Sequence, residues 1–363
     1  MTTPLSATMV YDTGVNDSNV PTSTNATPTD VFYFYKTEQI SFLCVLFIFI
    51  IVGNSMVILT ITLTKNRRSR MNFFILNLAI ADLSAGLVNV FTDMIWKTTI
   101  DWHAGLVGCK LVRYFMGVVT YASTYALVAL SIDRLDAIAR PLSFTGSHLR
   151  SRVLVGLSWA SAMLFSLPML IINETKIIDG SCQCWIEFPE PWFWKPYITI
   201  IAIVLFFIPA VIIAVCYIII VVIIWTKTTL QVSAPKGKHR YIKNGGHVYA
   251  AANNARFKDS ATSSRGLIPK AKIKTIKMTL VIVLVFIICW SPYFVFDLVD
   301  VYLNVPRTQD MVAASTFIQS LAPLNSAANP IIYFGFNAKI CIGILKKGWK
   351  HNSPTSQSQL TSI

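Results

Sequence analysis

Acidic and amide side chains lie inside stretches of this sequence that are otherwise strongly apolar. Asn89 and Asp93 follow Asp82 by seven and eleven residues, spacings that put all three side chains on one face of a helix. Asn325 and Asn329 form a second polar stripe near the carboxyl end. One carboxylate among neutral oxygen donors suits a hard cation, whereas the simpler interpretation is hydrogen bonding that holds helices together. The residues alone leave both interpretations open.

The composition identifies the elements that must position these side chains. Of 363 residues, 54% are hydrophobic and 13% are charged, whereas soluble domains have about 25% charged residues. A membrane-spanning helix needs about 20 mostly apolar residues, and its backbone satisfies its own hydrogen bonds. Seven segments meet this requirement: residues 40–63, 73–96, 106–138, 153–172, 197–225, 276–303 and 311–334. The sequence therefore predicts an all-α membrane protein built as a seven-transmembrane helix bundle.

The distribution of charge predicts how this bundle is oriented. The net charge is +14, and 24 of the 31 basic residues lie in or beside the connections that follow segments one, three, five and seven. Basic residues concentrate in cytoplasmic loops, so we expect these connections in the cytoplasm and the amino terminus outside. Three Asn-x-Ser/Thr sequons on the expected outer side are candidate glycosylation sites: Asn16, Asn25 and Asn173. The charge thus indicates topology, and no nucleic-acid partner is expected.

The segments outside the bundle differ from it in composition. Residues 1–36 are polar and rich in Thr, Ser, Asn and Pro, which predicts an extracellular disordered tail ahead of a transmembrane domain over residues 37–335. The connection at about 226–275 is basic and is predicted to be flexible. Residues 336–363 are predicted to form a short amphipathic eighth helix on the membrane and then a cytoplasmic tail, with Cys341 as a candidate palmitoylation site.

The seven segments carry short motifs in one particular order. These are Gly53-Asn54, Leu78-Ala79-Ile80-Ala81-Asp82, Asp133-Arg134-Leu135, Trp159, Pro209 with Tyr217, Cys289-Trp290-Ser291-Pro292 and Asn329-Pro330-Ile331-Ile332-Tyr333. Over residues 37–347 the chain thereby resembles the rhodopsin-like family of G-protein-coupled receptors. Stretches such as Ser69-Arg70-Met71-Asn72 and Gln183-Cys184-Trp185 resemble the vasopressin/oxytocin-related branch, and within it the neuropeptide S and crustacean cardioactive peptide receptors.

This resemblance implies roles for residues toward the cytoplasmic end of the bundle. Those implied in G-protein activation are Asp133, Arg134, Tyr217, Asn329, Pro330 and Tyr333. Asp133 is expected to hold Arg134 as an ion pair at rest, and Leu135 replaces the family's usual aromatic residue. The base of segment six offers lysines and no carboxylate, so we do not expect an ionic lock between Arg134 and that segment.

The resemblance also implies an ion site and a disulfide. The implied sodium ligands are Asp82, Ser123, Asn325, Ser326 and Asn329, and no other cofactor is expected. Cys109 is implied to pair with Cys184, although Cys182 lies two residues away and competes on sequence alone. The extracellular side is oxidising, which favours a disulfide there.

A ligand pocket is implied at the outer end of the bundle. Its residues are Asn89, Asp93, Arg113, Met116, Trp290, Phe294, Asp297 and Gln319. Met116 stands where amine receptors carry a carboxylate, and segment seven contains no lysine for retinal, so both ligand classes are disfavoured. Arg113 against Asp93 and Asp297 suits a peptide with both signs of charge. Whether Arg113 pairs with Asp93 structurally or contacts the ligand stays open, and we favour ligand contact.

These features together predict a plasma-membrane receptor for an extracellular neuropeptide of the vasopressin/oxytocin, neuropeptide S or cardioactive peptide type. Binding is expected to activate a heterotrimeric G protein, with arrestin and membrane lipid as further partners. The alternatives are a rhodopsin-like receptor for another ligand class and a membrane transporter. An enzyme is not expected, because the sequence has neither an HExxH motif nor paired catalytic carboxylates.

Overall fold

A computed structural model describes residues 36–63, 69–99, 101–140, 147–178, 180–232, 270–303 and 309–351. Several expectations lie outside the described residues and stay predictions. These are the tail that precedes the first helix, the middle of the 226–275 connection, the last twelve residues, and the glycosylation sites Asn16 and Asn25.

Seven long helices and one β-hairpin make up the described part of the chain. The elements are α1 (Lys36–Leu63), α2 (Arg70–Ala85, a π-helical turn at Gly86–Val90, and Phe91–Thr99), α3 (Gly105–Ala139), α4 (Ser147–Ser166, then Met169–Ile172), β1 (Asn173–Ile178), β2 (Ser181–Ile186), α5 (Trp194–Ala202, a π-helical turn at Ile203–Phe207, and Ile208–Val232), α6 (Lys270–Leu303) and α7 (Gln309–His351). The helices confirm the predicted seven-helix bundle.

The helix α3 lies at the centre of this bundle. In its most apolar 18-residue stretch 78% of the residues are buried, compared with 28% for α1 and 22% for α4. Around α3 the largest fully buried side chains include Leu127, Ile220 and Phe286. The peripheral helices expose apolar side chains such as Phe49 and Val211, which is the surface that lipid requires. Within the described residues, α1 to α6 are each long and apolar enough to cross a membrane.

Two features of the fold were not predicted from the sequence. A π-helical turn at Gly86–Val90 lies between Asp82 and Asp93, so the regular helical spacing that put both on one face does not hold along the whole of α2. The connection between α4 and α5 contains the antiparallel hairpin β1–β2, in which Thr175 lies opposite Cys184. Both features affect the position of residues implied in ligand binding.

The helix α7 contains the predicted segment 311–334 and continues beyond it. Asn337 departs from helical geometry, with φ −119° and ψ 23°, and the backbone is helical again as far as His351. Side chains from Lys339 onward lie outside the described part of the chain. The amphipathic eighth helix and the modification of Cys341 therefore stay predictions.

The glycine at position 53 allows α1 to lie directly against α7. A Cβ atom built on Gly53 would lie 2.9 Å from the Cβ atom of Pro330, which is closer than real contacts of this kind. A Cβ atom built on Gly156 of α4 would have no neighbouring atom within 4 Å. The identity of residue 53 is therefore set by this contact between helices.

We expect the substitution Gly53→Ala to lower the melting temperature of the purified protein in detergent. The added methyl group must push α1 from α7, and overpacking of this kind costs about 1–3 kcal/mol. The control is Gly156→Ala, which should match the wild type. Equal melting temperatures for the two variants would contradict the close approach of α1 and α7.

Candidate functional site

The carboxylate of Asp82 lies in the middle of the bundle and is fully buried. It accepts hydrogen bonds from Ser123 Oγ on α3 at 2.6 Å, and on α7 from Ser326 Oγ at 2.9 Å and Asn329 Nδ2 at 2.7 Å. A buried carboxylate without such donors would be very costly. These bonds join α2, α3 and α7 at one side chain. We call Asp82 together with its three donors, Ser123, Ser326 and Asn329, the Asp82 cluster.

A small cavity opens beside the Asp82 cluster and is called the lower cavity here. Ser123, Asn325, Ser326 and Asn89 are among the residues that line it. The Oδ1 atoms of Asn89 and Asn325 are buried and accept no hydrogen bond from the described residues, while Asn89 Nδ2 donates to Thr120 at 2.9 Å. Such atoms mark space for a water molecule or an ion. One carboxylate with neutral oxygens around it fits a hard cation.

A second cavity is called the upper cavity and reaches Ile186 of the hairpin. Of the residues implied in ligand binding, four line the upper cavity: Arg113, Met116, Phe294 and Asp297. Two line the lower cavity, namely Asn89 and Trp290. Asp93 and Gln319 are buried but are not among the residues that line either cavity. The implied pocket is therefore divided into two spaces.

The guanidinium of Arg113 is the buried positive charge of the upper cavity. It donates a hydrogen bond to the backbone oxygen of Cys184 at 2.9 Å, and its Cζ atom lies 4.8 Å from the ring centroid of Trp96. Trp96 in turn donates to Gln183 Oε1 at 2.8 Å. Asp93 attracts the guanidinium electrostatically. The sequence left open whether Arg113 pairs with Asp93 or contacts the ligand, and it did not reveal the interaction with the hairpin backbone.

The carboxylate of Asp297 is the buried negative charge of the same cavity. Its side chain is hydrogen-bonded to Tyr293, four residues earlier on α6. Tyr293 lines both cavities and packs edge-on against Trp290 at 5.8 Å between ring centroids. Trp290 also stacks on Phe294 at 5.6 Å. Tyr293 thus joins the two cavities, a role that the sequence did not reveal although its spacing from Asp297 was a visible signal.

The hairpin is fixed over the upper cavity by its contacts with α3. Cys109 forms a disulfide with Cys184, with a Cα–Cα distance of 5.5 Å, whereas Cys182 is a free cysteine. The alternative that the sequence left open is therefore settled in favour of Cys184. Lys110 Nζ lies 2.9 Å from Glu174 Oε1 and ties β1 to the same helix. Together these contacts hold the backbone oxygen of Cys184 within reach of Arg113.

Asn173 is the predicted glycosylation site that lies within the described residues, and its side chain is inaccessible in this structure. This residue begins β1 and is fully buried. Its Nδ2 atom, to which a glycan would be attached, donates a hydrogen bond to the backbone oxygen of Met169 at 2.7 Å. A sequon is a local motif that carries no information on burial, so the sequence could not reveal this.

The opposite end of the bundle contains the residues implied in G-protein activation. Asp133 is fully buried and forms an ion pair with Arg134, as expected. Arg134 Nη1 also donates to Thr275 Oγ1 on α6 at 3.4 Å, and the hydroxyl of Tyr217 on α5 donates to Thr279 Oγ1 at 2.5 Å. The bonds that hold α6 at this end thus involve hydroxyl groups, consistent with the lack of a carboxylate at its base.

Sequence reasoning missed three further charged residues at this end. Arg70, at the start of α2, pairs with Asp133 and also lies 3.1 Å from Asp136. Arg150 on α4 binds the other oxygen of Asp136, also at 3.1 Å. In the sequence, Arg70 and Arg150 served as topology signals, and Arg70 also as part of a family-like stretch, because neither contact with α3 can be read from spacing along the chain. Asp136, one helical turn after Asp133, was the available signal.

The remaining residues implied in activation lie along α7. Asn329 belongs to the Asp82 cluster, Pro330 packs close to Gly53, and Tyr333 is buried near the end of the described side chains. The six implied residues are therefore divided between the Arg134 end and the middle of α7. Within the described residues, these two groups are linked by the packing of their helices and not by a continuous series of side-chain contacts.

The chain was also compared with known proteins. A family model described as "7 transmembrane receptor (rhodopsin family)" matches residues 53–333, from α1 to α7. The chain is 44% identical to the neuropeptide S receptor of Rattus norvegicus over 309 aligned residues. This alignment covers 85% of this chain and 78% of that receptor. It is 34% identical over 307 residues to the oxytocin receptor of Ovis aries, an alignment that covers 83% of this chain and 76% of that receptor. It is also 34% identical over 312 residues to the mesotocin receptor of Rhinella marina, with 85% of this chain and 76% of that receptor covered.

We expect Asn173 to carry no glycan when the chain is produced in animal cells. The reason is that its amide nitrogen is used inside the fold. Peptide mass spectrometry after enzymatic deglycosylation in heavy-oxygen water should find the Asn173 peptide without the label that marks a removed glycan. A labelled peptide at high occupancy from correctly folded protein would contradict the buried position of this side chain.

Proposed function

Because the chain belongs to the rhodopsin family of seven-transmembrane receptors, we propose that it binds an extracellular peptide and thereby activates a heterotrimeric G protein. It is a multi-pass protein of the plasma membrane and a receptor rather than an enzyme. Its relatives are named neuropeptide S, oxytocin and mesotocin receptors. We therefore assign the ligand to the neuropeptide S, vasopressin/oxytocin or cardioactive peptide type. The upper cavity is taken as the extracellular end, in agreement with the distribution of basic residues.

The observation that carries this proposal is the pair of opposite buried charges in the upper cavity. Arg113 and Asp297 face one space whose other lining is largely apolar, and Met116 rather than a carboxylate lies on α3. A peptide supplies groups of both signs, and buried charges discriminate strongly among ligands because an unmatched charge is costly. We propose that one end of the peptide enters this space and meets both charges.

The signal would pass through the aromatic side chains between the two cavities. A ligand changes a receptor only by binding one arrangement more tightly than another. Tyr293 is bonded to Asp297 and lines both cavities, so a ligand group that draws Asp297 away also shifts the ring that packs on Trp290. Trp290 borders the lower cavity. Movement there alters the packing around the Asp82 cluster and hence the position of α7.

Activation in this proposal requires α6 to move away from α3 and α5 at the Arg134 end. The bonds from Arg134 to Thr275 and from Tyr217 to Thr279 must then break. Each is worth about 1 kcal/mol net, well below the cost of separating a buried ion pair. The movement would open a cleft for a G-protein segment beside Arg134. Lys274 is exposed there and suits either lipid phosphate or an acidic protein surface.

Arrestin and membrane lipid remain further proposed partners. The Ser and Thr residues that would be phosphorylated lie in the last twelve residues, outside the described part of the chain. For the lipid contact the support is the basic stretch at the base of α6 and the lysines after Asn337. These partners rest on composition, whereas the G protein rests on family membership.

The expected response to one of these peptides is a change in calcium or cyclic AMP in cells that express the chain. Asp297→Asn should raise the half-maximal peptide concentration by roughly tenfold with the maximum preserved, because a desolvated charge contact is lost. Arg134→Ala should leave peptide binding intact and abolish the response. Dose–response curves and binding of a fluorescent peptide measure the two effects separately.

The control for Asp297 is Glu187→Gln, which removes a negative charge from an exposed pair with Lys176 at the same end of the bundle. It should shift the curve less than twofold. Silence toward all three peptide classes would contradict the assigned ligand type and favour a receptor for another ligand class. A full response from Arg134→Ala would contradict the role given to that residue.

We further propose that the Asp82 cluster binds a sodium ion. Its support is the buried carboxylate of Asp82 and the adjoining lower cavity, which is lined by Asn325, whose Oδ1 atom accepts no hydrogen bond from the described residues. The melting temperature of the purified receptor should rise by a few degrees when NaCl replaces KCl at equal ionic strength. Asp82→Asn should abolish this difference, because the neutral amide no longer attracts the cation.

The matched control for the sodium test is Asp297→Asn, since it removes a buried carboxylate that lies outside the lower cavity. It should retain the sodium effect in full. Equal melting temperatures for the wild type in NaCl and KCl would show that the cluster serves only to hold α2, α3 and α7 together.

A further inference from the structure

Five charged side chains form a continuous series of ion pairs at the Arg134 end, which we call the ion-pair chain: Arg134, Asp133, Arg70, Asp136 and Arg150. Asp133 binds Arg134 through Oδ2 and Arg70 through Oδ1. The same Nη2 atom of Arg70 lies 3.1 Å from Asp136 Oδ2, and Asp136 Oδ1 lies 3.1 Å from Nη1 of Arg150. Positive and negative charges alternate, and two carboxylates share Arg70.

Exposure to solvent is low at Asp133 and Arg134 and increases toward Arg150 at the other end of the ion-pair chain. The exposed fraction of the side chain is 0% for Asp133 and 9% for Arg134, 22% for both Arg70 and Asp136, and 39% for Arg150. Coulomb interactions weaken from the buried end to the exposed end because water and salt screen them. Arg70 is the middle member, so a change at Asp136 or Arg150 reaches Arg134 mainly through it.

We propose that Arg70 is a positioning residue that sets how firmly Asp133 retains Arg134, and that Asp136 in turn controls Arg70. This inference rests on the proposed function, in which release of Arg134 accompanies G-protein activation. The strength with which Arg134 is held at rest would then depend on residues of α2 and α4, because the base of α6 has lysines and no carboxylate.

The sign of each effect follows from the charges. Arg70 repels Arg134 and occupies one oxygen of Asp133, so its removal tightens the pair between Asp133 and Arg134. Asp136 draws Arg70 away from Asp133. Removing the charge of Asp136 lets Arg70 engage Asp133 fully, and Arg134 is then released more readily. Two substitutions in one ion-pair chain therefore shift the resting state in opposite directions.

A purely structural role would give a different result. If the ion-pair chain only held α2, α3 and α4 together, losing Arg70 or losing the charge of Asp136 would loosen the same contacts. Both substitutions would then change basal activity in one direction, or leave it unchanged. The direction of the two changes is therefore the decisive observation.

The test measures basal activation of purified G protein by the full-length receptor without peptide, per receptor molecule. Arg70→Ala should lower it and Asp136→Asn should raise it, each by roughly two- to fivefold. The double variant should match Arg70→Ala, because Asp136 acts through Arg70. Asp136→Glu keeps the charge and should stay close to the wild type.

Two arginines on α4 provide matched controls. Arg150→Ala should lower basal activation less than Arg70→Ala does, because Asp136 then holds Arg70 more firmly. Arg152 is exposed two residues further along the same helix, and Arg152→Ala should match the wild type. A change at Arg152 equal to that at Arg150 would overturn the inference, since net charge alone would then explain both effects.

A double-mutant cycle of melting temperature on the purified receptor tests the same contact without ligand or G protein. The effects of Arg70→Ala and Asp136→Asn should be non-additive. Additive effects, or basal changes of the same sign, would overturn the inference and leave the proposed function standing. A receptor that activates no G protein with any of the peptides would overturn the proposed function itself, and with it the inference.

Discussion

A carboxylate that is shut away from water must obtain all of its hydrogen bonds from the protein, and this requirement at Asp82 organises the bundle. Ser123, Ser326 and Asn329 supply the donors, and they come from α3 and α7. The positions of these helices relative to α2 are thus constrained to within a hydrogen-bond length at mid-depth. The close packing of Gly53 against Pro330 adds α1 to the same arrangement.

The charged groups that are buried at the two ends of the bundle also need partners from the protein, and these partners differ between the ends. At one end the guanidinium of Arg113 is met by a backbone oxygen, an aromatic ring and a carboxylate further along α2. At the other end Asp133 is met by two arginines from different helices. The first arrangement adjoins a cavity, whereas in the second two cations share one carboxylate. This difference suits one end for recognition and the other for a conformational response.

Much of the fold was predictable because the membrane makes simple demands on sequence. Apolar length predicted the seven helices, and the polar stripes on α2 and α7 contain Asp82 and its partner Asn329, whereas Ser123 and Ser326 were implied only by the family resemblance. The pairing of Arg70 with α3 was not predictable, because nothing in the spacing of residues more than sixty positions apart reports their distance. The π-helical turn at Gly86–Val90 was missed because one extra residue per turn leaves no clear mark on an apolar segment.

The residues implied in ligand binding also show what the sequence could predict and what it could not. Four of the eight implied residues share the upper cavity, since a family motif specifies a position on a helix. The separation into two cavities depends on where the rings of Tyr293 and Trp290 lie, and this follows from packing among several helices. The burial of Asn173 likewise depends on a hairpin that no local motif encodes.

The hydrogen bond from Arg113 to the oxygen of Cys184 uses the main chain of β2. Every amino acid offers that oxygen, so this contact depends on where the Cys109–Cys184 disulfide holds the strand and not on a particular polar side chain. Gln183 is itself held by the hydrogen bond from Trp96, the ring that lies against Arg113. Among the described residues Trp185, on the other side of the disulfide, has no such bond to this ring, so a substitution there can alter the hairpin without removing the partners of the guanidinium.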